Sequence, residues 1–599
     1  MLCAVCSLGI PTFAQKNDPN QKITADPQTV VVTGTFQPTP LSELNRTVVS
    51  FDNSNEKLPD YFSYVDLLKS DSSVDIEQRA PNGVQADLSI RGANFEQSLV
   101  LLNGLRMNDA QSGHHDMDLP LPLEAVSRVE VLHGAGSTLY GADAAGGAVN
   151  FITTPPTATE FRLRMGLGNF GFNQEHIVGA FLAKKWSERI TADRDFSEGF
   201  IPDRDYRSSS IASETFVATS LGSTDILVAA SDRPFGADQF YGNFPSWERT
   251  KTWFTSISQE LGSNTDAAFA YRRHSDEFVL FRDDPSIYEN NHISQSWQAD
   301  LRRRFTFHHD WKLSYGAEGD GDEIDSNNLG HHERERGAAY LNLDLHPAQR
   351  FTMSLGGREE VFTGNHAEFA PAIAAGLWLT NTLRLRASAS RAFRLPTYTD
   401  LYYSDPANIG NPLLKPESAW DFEGGPEWNP RGRLSAQVTA FFRREHNDID
   451  YVRTSASTPW QATNINYIGF FGLESAAKFR LPRAGDVELA YTFLHANQQV
   501  QAGLSSKYVF NYPSHNATFG WTGQCKRLFS IRTRVGATQR VEQGTYALWD
   551  LSLAGNQRLV RPYLQFSNLG NTSYEEIPGV LMPSRSIVGG LEFIFRPHS

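Results

Sequence analysis

Asn108-Asp109-Ala110-Gln111-Ser112-Gly113-His114-His115-Asp116 concentrates more versatile side chains than any other short stretch of the chain. Two imidazoles beside a carboxylate can meet a metal or a metal chelate through a ring nitrogen. Adjacent residues on one loop seldom share an ion, so His114 and His115 read equally well as hydrogen-bond donors to an organic ligand. No metal of the protein's own is assigned to them. A second set is Tyr402-Tyr403, with Trp420 beyond it, between Arg391-Ala392-Phe393-Arg394-Leu395-Pro396 and a run that starts at Gly410-Asn411-Pro412 and ends at Glu417. Aromatics there are either ligand contacts or residues at an apolar–aqueous boundary, where an amphipathic ring is at home. The tract His133-Gly134-Ala135-Gly136-Ser137-Thr138 resembles a phosphate loop in its glycines. It lacks the Gly-Lys-Ser/Thr ending, and no convincing helix follows. Its glycines read as tight turns. Asp283-Asp284 and the run Gly319–Asp325 read as acidic loops whose charge is solvated; the second does not match a calcium-binding EF-hand. No Ser/His/Asp set and no pair of carboxylates has catalytic spacing, so neither an enzyme nor a cofactor is expected.

The elements that hold these residues fall into two kinds. Leu88–Ile90, Leu99–Leu102, Val126–Leu132 and Ala148–Ile152 are short β-type runs separated by Gly, Asn and Asp turns. As one small sheet they cannot cover themselves, so other parts of the chain must enclose them. Tyr61–Ser70 has helical spacing, and Gln78–Gln85 is a loop carrying Pro81 and Gly83. Pro155-Pro156 ends this module.

From Phe161 to Phe595 one theme repeats. Phe161, Leu163, Met165 and Leu167 alternate with Arg162, Arg164, Gly166 and Gly168; Leu383 and Leu385 alternate with Arg384 and Arg386. Period 2 with a bare apolar face and charges opposite it means strands wetted on one side. Over more than 400 residues with few helices, this fits a membrane barrel with lipid outside and a wet lumen, because a charge facing lipid costs roughly 2–4 kcal/mol. No apolar run approaches the roughly 20 residues of a spanning helix. At roughly 20 residues per strand and connection the span supplies about 22 strands, an even number as bacterial barrels require. The 12% aromatic content, with 39 Phe and 20 Tyr, agrees with strands.

The net charge of −14 excludes a nucleic-acid partner, since no broad basic field is present. Of Cys3, Cys6 and Cys525, two lie in an apolar N-terminal segment, so no intrachain disulfide framework forms in a mature chain. That segment, with Thr12-Phe13-Ala14 before Gln15, reads as the end of a signal peptide without a basic n-region. After a polar leader, Thr29-Val30-Val31-Val32-Thr33 is an isolated β-branched strand without a hairpin partner nearby. Such an edge can dock on another protein by strand addition.

The order of Ile90-Arg91-Gly92, Leu102–Asn108, Ser127–Gly134 and Leu139–Thr153 resembles the plug domain of TonB-dependent outer-membrane receptors. The stretch Asn568–Glu576 and the compact plug are most similar to cobalamin-receptor-like members. The paired signature around Tyr402 is shared with haem receptors, but no His lies between its halves. The resemblance implies a mainly β fold, a barrel of about 22 antiparallel strands holding an N-terminal α+β plug. It implies a signal-peptide remnant at 1–14, a leader at 15–45 with the TonB box at Thr29–Thr33, a plug at 46–156 and a barrel at 157–599. Arg91 and Arg128 are expected to anchor the plug to barrel carboxylates. The floor of the ligand site is expected from Gln78, Arg79, Asn82, Asn108, Gln111, His114, His115 and Asp116, with Tyr402 and Tyr403 above. The implied partners are a TonB-type energy-transducing protein, a small-molecule metal chelate and outer-membrane lipid, with the receptor a monomer. The implied function is energised import of a scarce chelate, cobalamin-like in preference to a ferric siderophore. A surface binding barrel without transport is the more distant alternative.

Overall fold

The computed structural model describes residues 30–53, 61–308, 310–364, 366–430, 433–497, 503–526, 528–541 and 543–597. Twenty-two antiparallel strands close into one barrel. The first, Glu160–Gly168, pairs with the last, Ser586–Phe595, and leaves no free edge. Closure satisfies every backbone group between strands, which an unsupported sheet in hydrocarbon cannot do.

The alternation read in the sequence is inverted relative to a soluble protein. Phe161, Met165 and Leu167 are exposed on the outer face, whereas Arg162 and Arg164 between them are buried inside. Leu385 is exposed while Arg384 and Arg386 are buried. Trp420 is also on the outer face, stacked at 6.2 Å on exposed Phe422, and so does not contact the lumen. The acidic run Gly319–Asp325 is not a loop: it lies inside the strand Trp311–Ser326, with Asp320 and Asp322 turned inward.

Connections differ at the two ends. At the end holding Glu160 and Phe595, turns are short, such as 183–185 and 349–350. At the other end they lengthen, as between Arg394 and Glu417, His446 and Ile468, and Ser567 and Ser586. In outer-membrane barrels the short turns face the periplasm and the longer loops the exterior.

The plug fills the lumen. Its main sheet has the order Val48–Asp52, Arg128–His133, Gly147–Ile152, Ser98–Leu102, Leu105–Arg106, with a parallel pair between Ser98–Leu102 and Gly147–Ile152. The run ending at Ile90 is not part of that sheet; Ala86–Ile90 pairs instead with Val74–Gln78. The helix expected over 61–70 is shorter, Tyr64–Leu68, capped by the Ser63 hydroxyl accepting from the Asp66 amide. A four-residue helix, Ser137–Tyr140, does follow the glycine tract. Gly134 has φ +74°, and a Cβ there would lie 2.8 Å from a carboxylate oxygen of barrel residue Asp421. The plug passes the wall at that point too closely for a side chain.

Thr29 and the leader before it, including the cleavage-site reading, lie outside the described residues. The segment that follows is not an orphan edge: Val30–Val31 pairs antiparallel with Thr39–Pro40. Val31 is fully buried, and the Val32 and Thr33 amides donate to Glu130 at 2.9 and 2.8 Å. Seven residues of hairpin connection were enough to hide the partner strand from a reading of local pattern.

Candidate functional site

Two sites emerge, one holding the plug and one open to the long-loop end. The plug anchor centres on Arg91, whose backbone lies in the left-handed region (φ +54°) in the turn after Ala86–Ile90. Its guanidinium makes a two-pronged contact with Glu474 at 2.6 and 2.7 Å and a third with Glu423 at 2.6 Å. Phe441 packs under it at 4.4 Å. Both carboxylates come from barrel strands, Glu417–Trp428 and Ile468–Leu481. His133 of the plug bridges Glu474 and Asp71, at 3.3 and 2.8 Å. Burial alone would pull the His133 imidazolium down, but the carboxylates of Asp71 and Glu474 outweigh it and hold its pKa up to about 10. Arg128 differs from its expected role. It pairs with Glu130 of its own strand at 2.7 Å and makes no barrel ion pair among the described residues. Two further barrel residues hold the plug. Glu576 accepts from the Gln78 amide at 2.8 Å. Arg394, in the Arg391–Pro396 signature, clamps Glu417 at 2.5 Å and contacts Glu96 of the plug.

The open site is a cavity of about 1930 Å³ between the plug and the long connections. The plug supplies Arg79, Gln111, His114 and His115 to its floor; Tyr403 lies on its wall. Arg79 is fixed by Asp87 at 2.7 Å, and the same carboxylate meets His114 Nδ1 at 2.9 Å. His114 stacks on Phe95 with centroids 4.6 Å apart. Burial, reinforced by the Arg79 charge, lowers the His114 pKa despite Asp87. For His115, burial is outweighed by the carboxylates of Asp118 and Asp276, and its pKa is raised. The two adjacent imidazoles are therefore in opposite electrostatic settings. Gln111 donates to Asp276 at 2.8 Å, and the Tyr403 hydroxyl lies 3.3 Å from that of Tyr288.

Five expected floor or wall residues are not among those lining the cavity. Gln78 is buried against Glu576, and Asn82 donates to Tyr206 at 2.7 Å. Asn108 spans the loop neck, donating to Asp116 at 2.7 Å and accepting from the Val100 amide at 2.7 Å. Asp116 also accepts from the Asp109 amide at 2.8 Å, so both residues shape the loop rather than face a ligand. Tyr402 stacks on His332 with centroids 3.6 Å apart. Local pattern could not separate these from their neighbours, because alternate residues of a strand-flanked loop point opposite ways. Sequence reading also missed Glu248 and Asp276 on the cavity wall. Their signal is the inward parity of charge in Trp247–Glu260 and Thr265–Val279, where Glu248, Thr250 and Thr252 of the first strand and Arg272, His274 and Asp276 of the second share the lumen face.

Sequence comparison fits this architecture. Residues 186–569 match the family model described as TonB dependent receptor-like, beta-barrel, and residues 44–148 match the TonB-dependent receptor plug domain. The chain belongs to the TonB-dependent receptor family. It is thus an outer-membrane transport receptor and not an enzyme. Over 445 residues it is 25% identical to the vitamin B12 transporter BtuB of Photobacterium profundum, covering 69% of this chain and 71% of that one. It is 24% identical over 572 residues to the iron-regulated outer membrane virulence protein of Vibrio cholerae, covering 84% and 83%. Among solved structures, the siderophore receptor PirA of Acinetobacter baumannii superposes with a TM-score of 0.76 at 15% identity, covering 92% of this chain and 98% of that one. The hemophore receptor HasR of Serratia marcescens gives 0.77 at 16% identity, covering 92% and 99%. At these identities the structural likeness speaks for the receptor fold.

Proposed function

We propose that this TonB-dependent receptor binds a bulky, weakly charged metal chelate of the cobalamin kind at the long-loop end and imports it to the periplasm. The observation that carries this reading is the charge of the cavity. Its lining has the acidic Glu77, Glu96, Glu248, Asp276, Asp400 and Asp405 against the basic Arg79, Arg453 and Lys507. Arg79 is already paired with Asp87, Glu77 with Arg540, and Glu96 and Asp400 with Arg394, which leaves Glu248, Asp276 and Asp405 against Arg453, over the Trp460 ring at 4.1 Å, and Lys507. A triply anionic ferric catecholate would meet only Arg453 and Lys507 as cations there, fewer than its charge, and would be opposed by Glu248, Asp276 and Asp405. A neutral corrinoid would meet aromatic faces and amide donors without that penalty. Likeness to the P. profundum vitamin B12 transporter supports the same choice. A ferric-siderophore receptor is the second reading, favoured by the V. cholerae iron-regulated relative and by the structural neighbours.

Energised release belongs to the same proposal. Nanomolar binding corresponds to about −12 kcal/mol, so ligand leaves slowly unless the site is altered. Thr29–Thr33 is the proposed TonB box. In the resting arrangement Val30–Val31 is paired and Thr33 is tied to Glu130, so the partner must capture the strand after it leaves this pocket.

The test is ligand-dependent thermal protection of the full chain in detergent, screened over cyanocobalamin, haem and ferric siderophores of differing charge. Cyanocobalamin should protect at the lowest concentration. Protection by a ferric siderophore but not by cyanocobalamin would transfer the assignment to the second reading.

A further inference from the structure

We infer that His115, Glu248 and Asp276 form a binding site for a divalent transition-metal ion on the cavity wall, joining plug to barrel. The three side chains present one imidazole nitrogen and two carboxylate oxygens that all lie within 4.8 Å of one another. A tetrahedral ion with ligand bonds of about 2.0–2.2 Å needs donors about 3.4 Å apart. His115 Nε2 and Asp276 Oδ2 already stand at 3.4 Å. Glu248 and Asp276 are lumen-facing diagonal neighbours on adjacent strands, since Glu248 pairs with Phe278 and Asp276 with Thr250.

Three observations separate this set from an ordinary charged lumen face. Neither Glu248 nor Asp276 forms an ion pair with Lys or Arg among the described residues, although Asp109 and Asp118 nearby are paired with Arg272 and Arg233 at 2.5 and 3.0 Å. Among the described residues Asp276 meets only the His115 imidazole and the Gln111 amide, and Glu248 only the Tyr241 hydroxyl and the Gln85 amide, so no fixed cation stands between the two carboxylates and a metal ion joining them would relieve their repulsion. The second is an unpartnered atom: Asp276 is 5% exposed and its Oδ1 makes no hydrogen bond. The third is the support behind the imidazole. The other nitrogen of His115, Nδ1, faces Asp118 Oδ2 at 3.7 Å, and Asp118 is itself held by Arg233 and by His274 at 3.2 Å. At 3.7 Å this is an ion-pair approach and not a hydrogen bond, and a slight closure on metal binding would let the carboxylate orient the ring and set its tautomer. The alternative trio His115, Asp118 and His274 is less apt, because Asp118 is already neutralised by Arg233.

One nitrogen and two oxygens from protein leave at least one coordination position toward the cavity. Imidazole in the set selects zinc, cobalt or nickel over magnesium and calcium, which take oxygen donors. The site does not depend on which chelate the cavity receives.

The full chain in detergent, treated with chelator, should be titrated with Co²⁺ followed by visible absorption and with Zn²⁺ by calorimetry. One ion per chain is expected, unaffected by millimolar Ca²⁺ or Mg²⁺. His115→Ala and Asp276→Asn should each weaken binding by about tenfold or more, while Glu248→Gln weakens it and exposed His331→Ala leaves it unchanged. Heat-modifiable migration on gels verifies that each variant barrel is folded. No stoichiometric binding, binding lost in His331→Ala, or binding unchanged in folded His115→Ala and Asp276→Asn would overturn the site. Cyanocobalamin protection measured on the same metal-free samples reads the proposed chelate separately, so either assignment can fail alone.

Discussion

Replacing Arg91 by Met tests what retains the plug. Arg91 is 1% exposed and neutralises two barrel carboxylates at once, with the Phe441 ring beneath it. Methionine keeps much of the stem's volume and its contact with the ring but removes the charge. Glu423 and Glu474 are then left facing each other, with Asp421 nearby, in a space shaped for a guanidinium. Breaking a buried ion pair by removing one partner costs about 3–5 kcal/mol. His133 stays on Glu474 and water in the lumen can enter, so the lower half of that range applies here.

The assay is urea unfolding of the purified receptor, following plug-specific fluorescence separately from the barrel. With a urea slope of about 1–3 kcal/mol per molar, the plug transition should move down by roughly 1–4 M. The barrel transition should stay in place, because no strand pairing involves Arg91. Adding Glu474→Gln to Arg91→Met should recover part of the loss, since it removes one of the two stranded charges. An unmoved plug midpoint in the single variant would refute the anchor, and an unchanged double variant would refute the charge-repulsion account of it.

Other expectations follow from the same geometry. Val31→Pro should abolish energised uptake while surface binding of ligand persists, because proline cannot donate to a strand ladder; undiminished uptake would sink the TonB-box assignment. Changing His114 and His115 together to Ala should weaken chelate binding by about 1–3 kcal/mol, the usual loss for buried polar contacts, with barrel assembly intact; equal affinity by titration would remove them from the site. His133 has a raised folded pKa of about 10. Its contribution to plug retention is therefore complete below its unfolded value of about 6.5 and declines as pH rises toward 10. Urea midpoints of the plug should fall over that interval, and His133→Gln should flatten the dependence.

The barrel was legible because lipid and lumen impose opposite demands on alternate residues. Arg162 between Phe161 and Leu163 makes sense only if one face meets hydrocarbon and the other a polar interior, and the repetition of that pattern carried the fold. Boundaries set by long-range pairing were not legible. Nothing local in Leu88–Ile90 says that it will pair with Val74–Gln78 instead of joining the main plug sheet. The pairing of Val30–Val31 with Thr39–Pro40 was hidden for a related reason. Two-residue strands lack the alternation from which a strand is read, and their stability comes from Val31 burying against Leu44 and Val48, not from propensity.

The site divides along the same line. His114, His115, Gln111 and Arg79 could be picked out because residue type and loop context are local properties. Which of their neighbours turn inward could not be, since Asn108 and Asp116 look as suitable as His115 until the hydrogen bond between them is seen to close the loop neck. The barrel's half of the cavity was harder still. Glu248 and Asp276 are 28 residues apart, each unremarkable within an alternating strand, and only the register Glu248↔Phe278 with Thr250↔Asp276 puts them on one patch of wall. Pairwise register between strands is a property of the closed barrel as a whole. A site assembled across that register, with its third member contributed by a plug loop, is therefore visible only once both domains are in place.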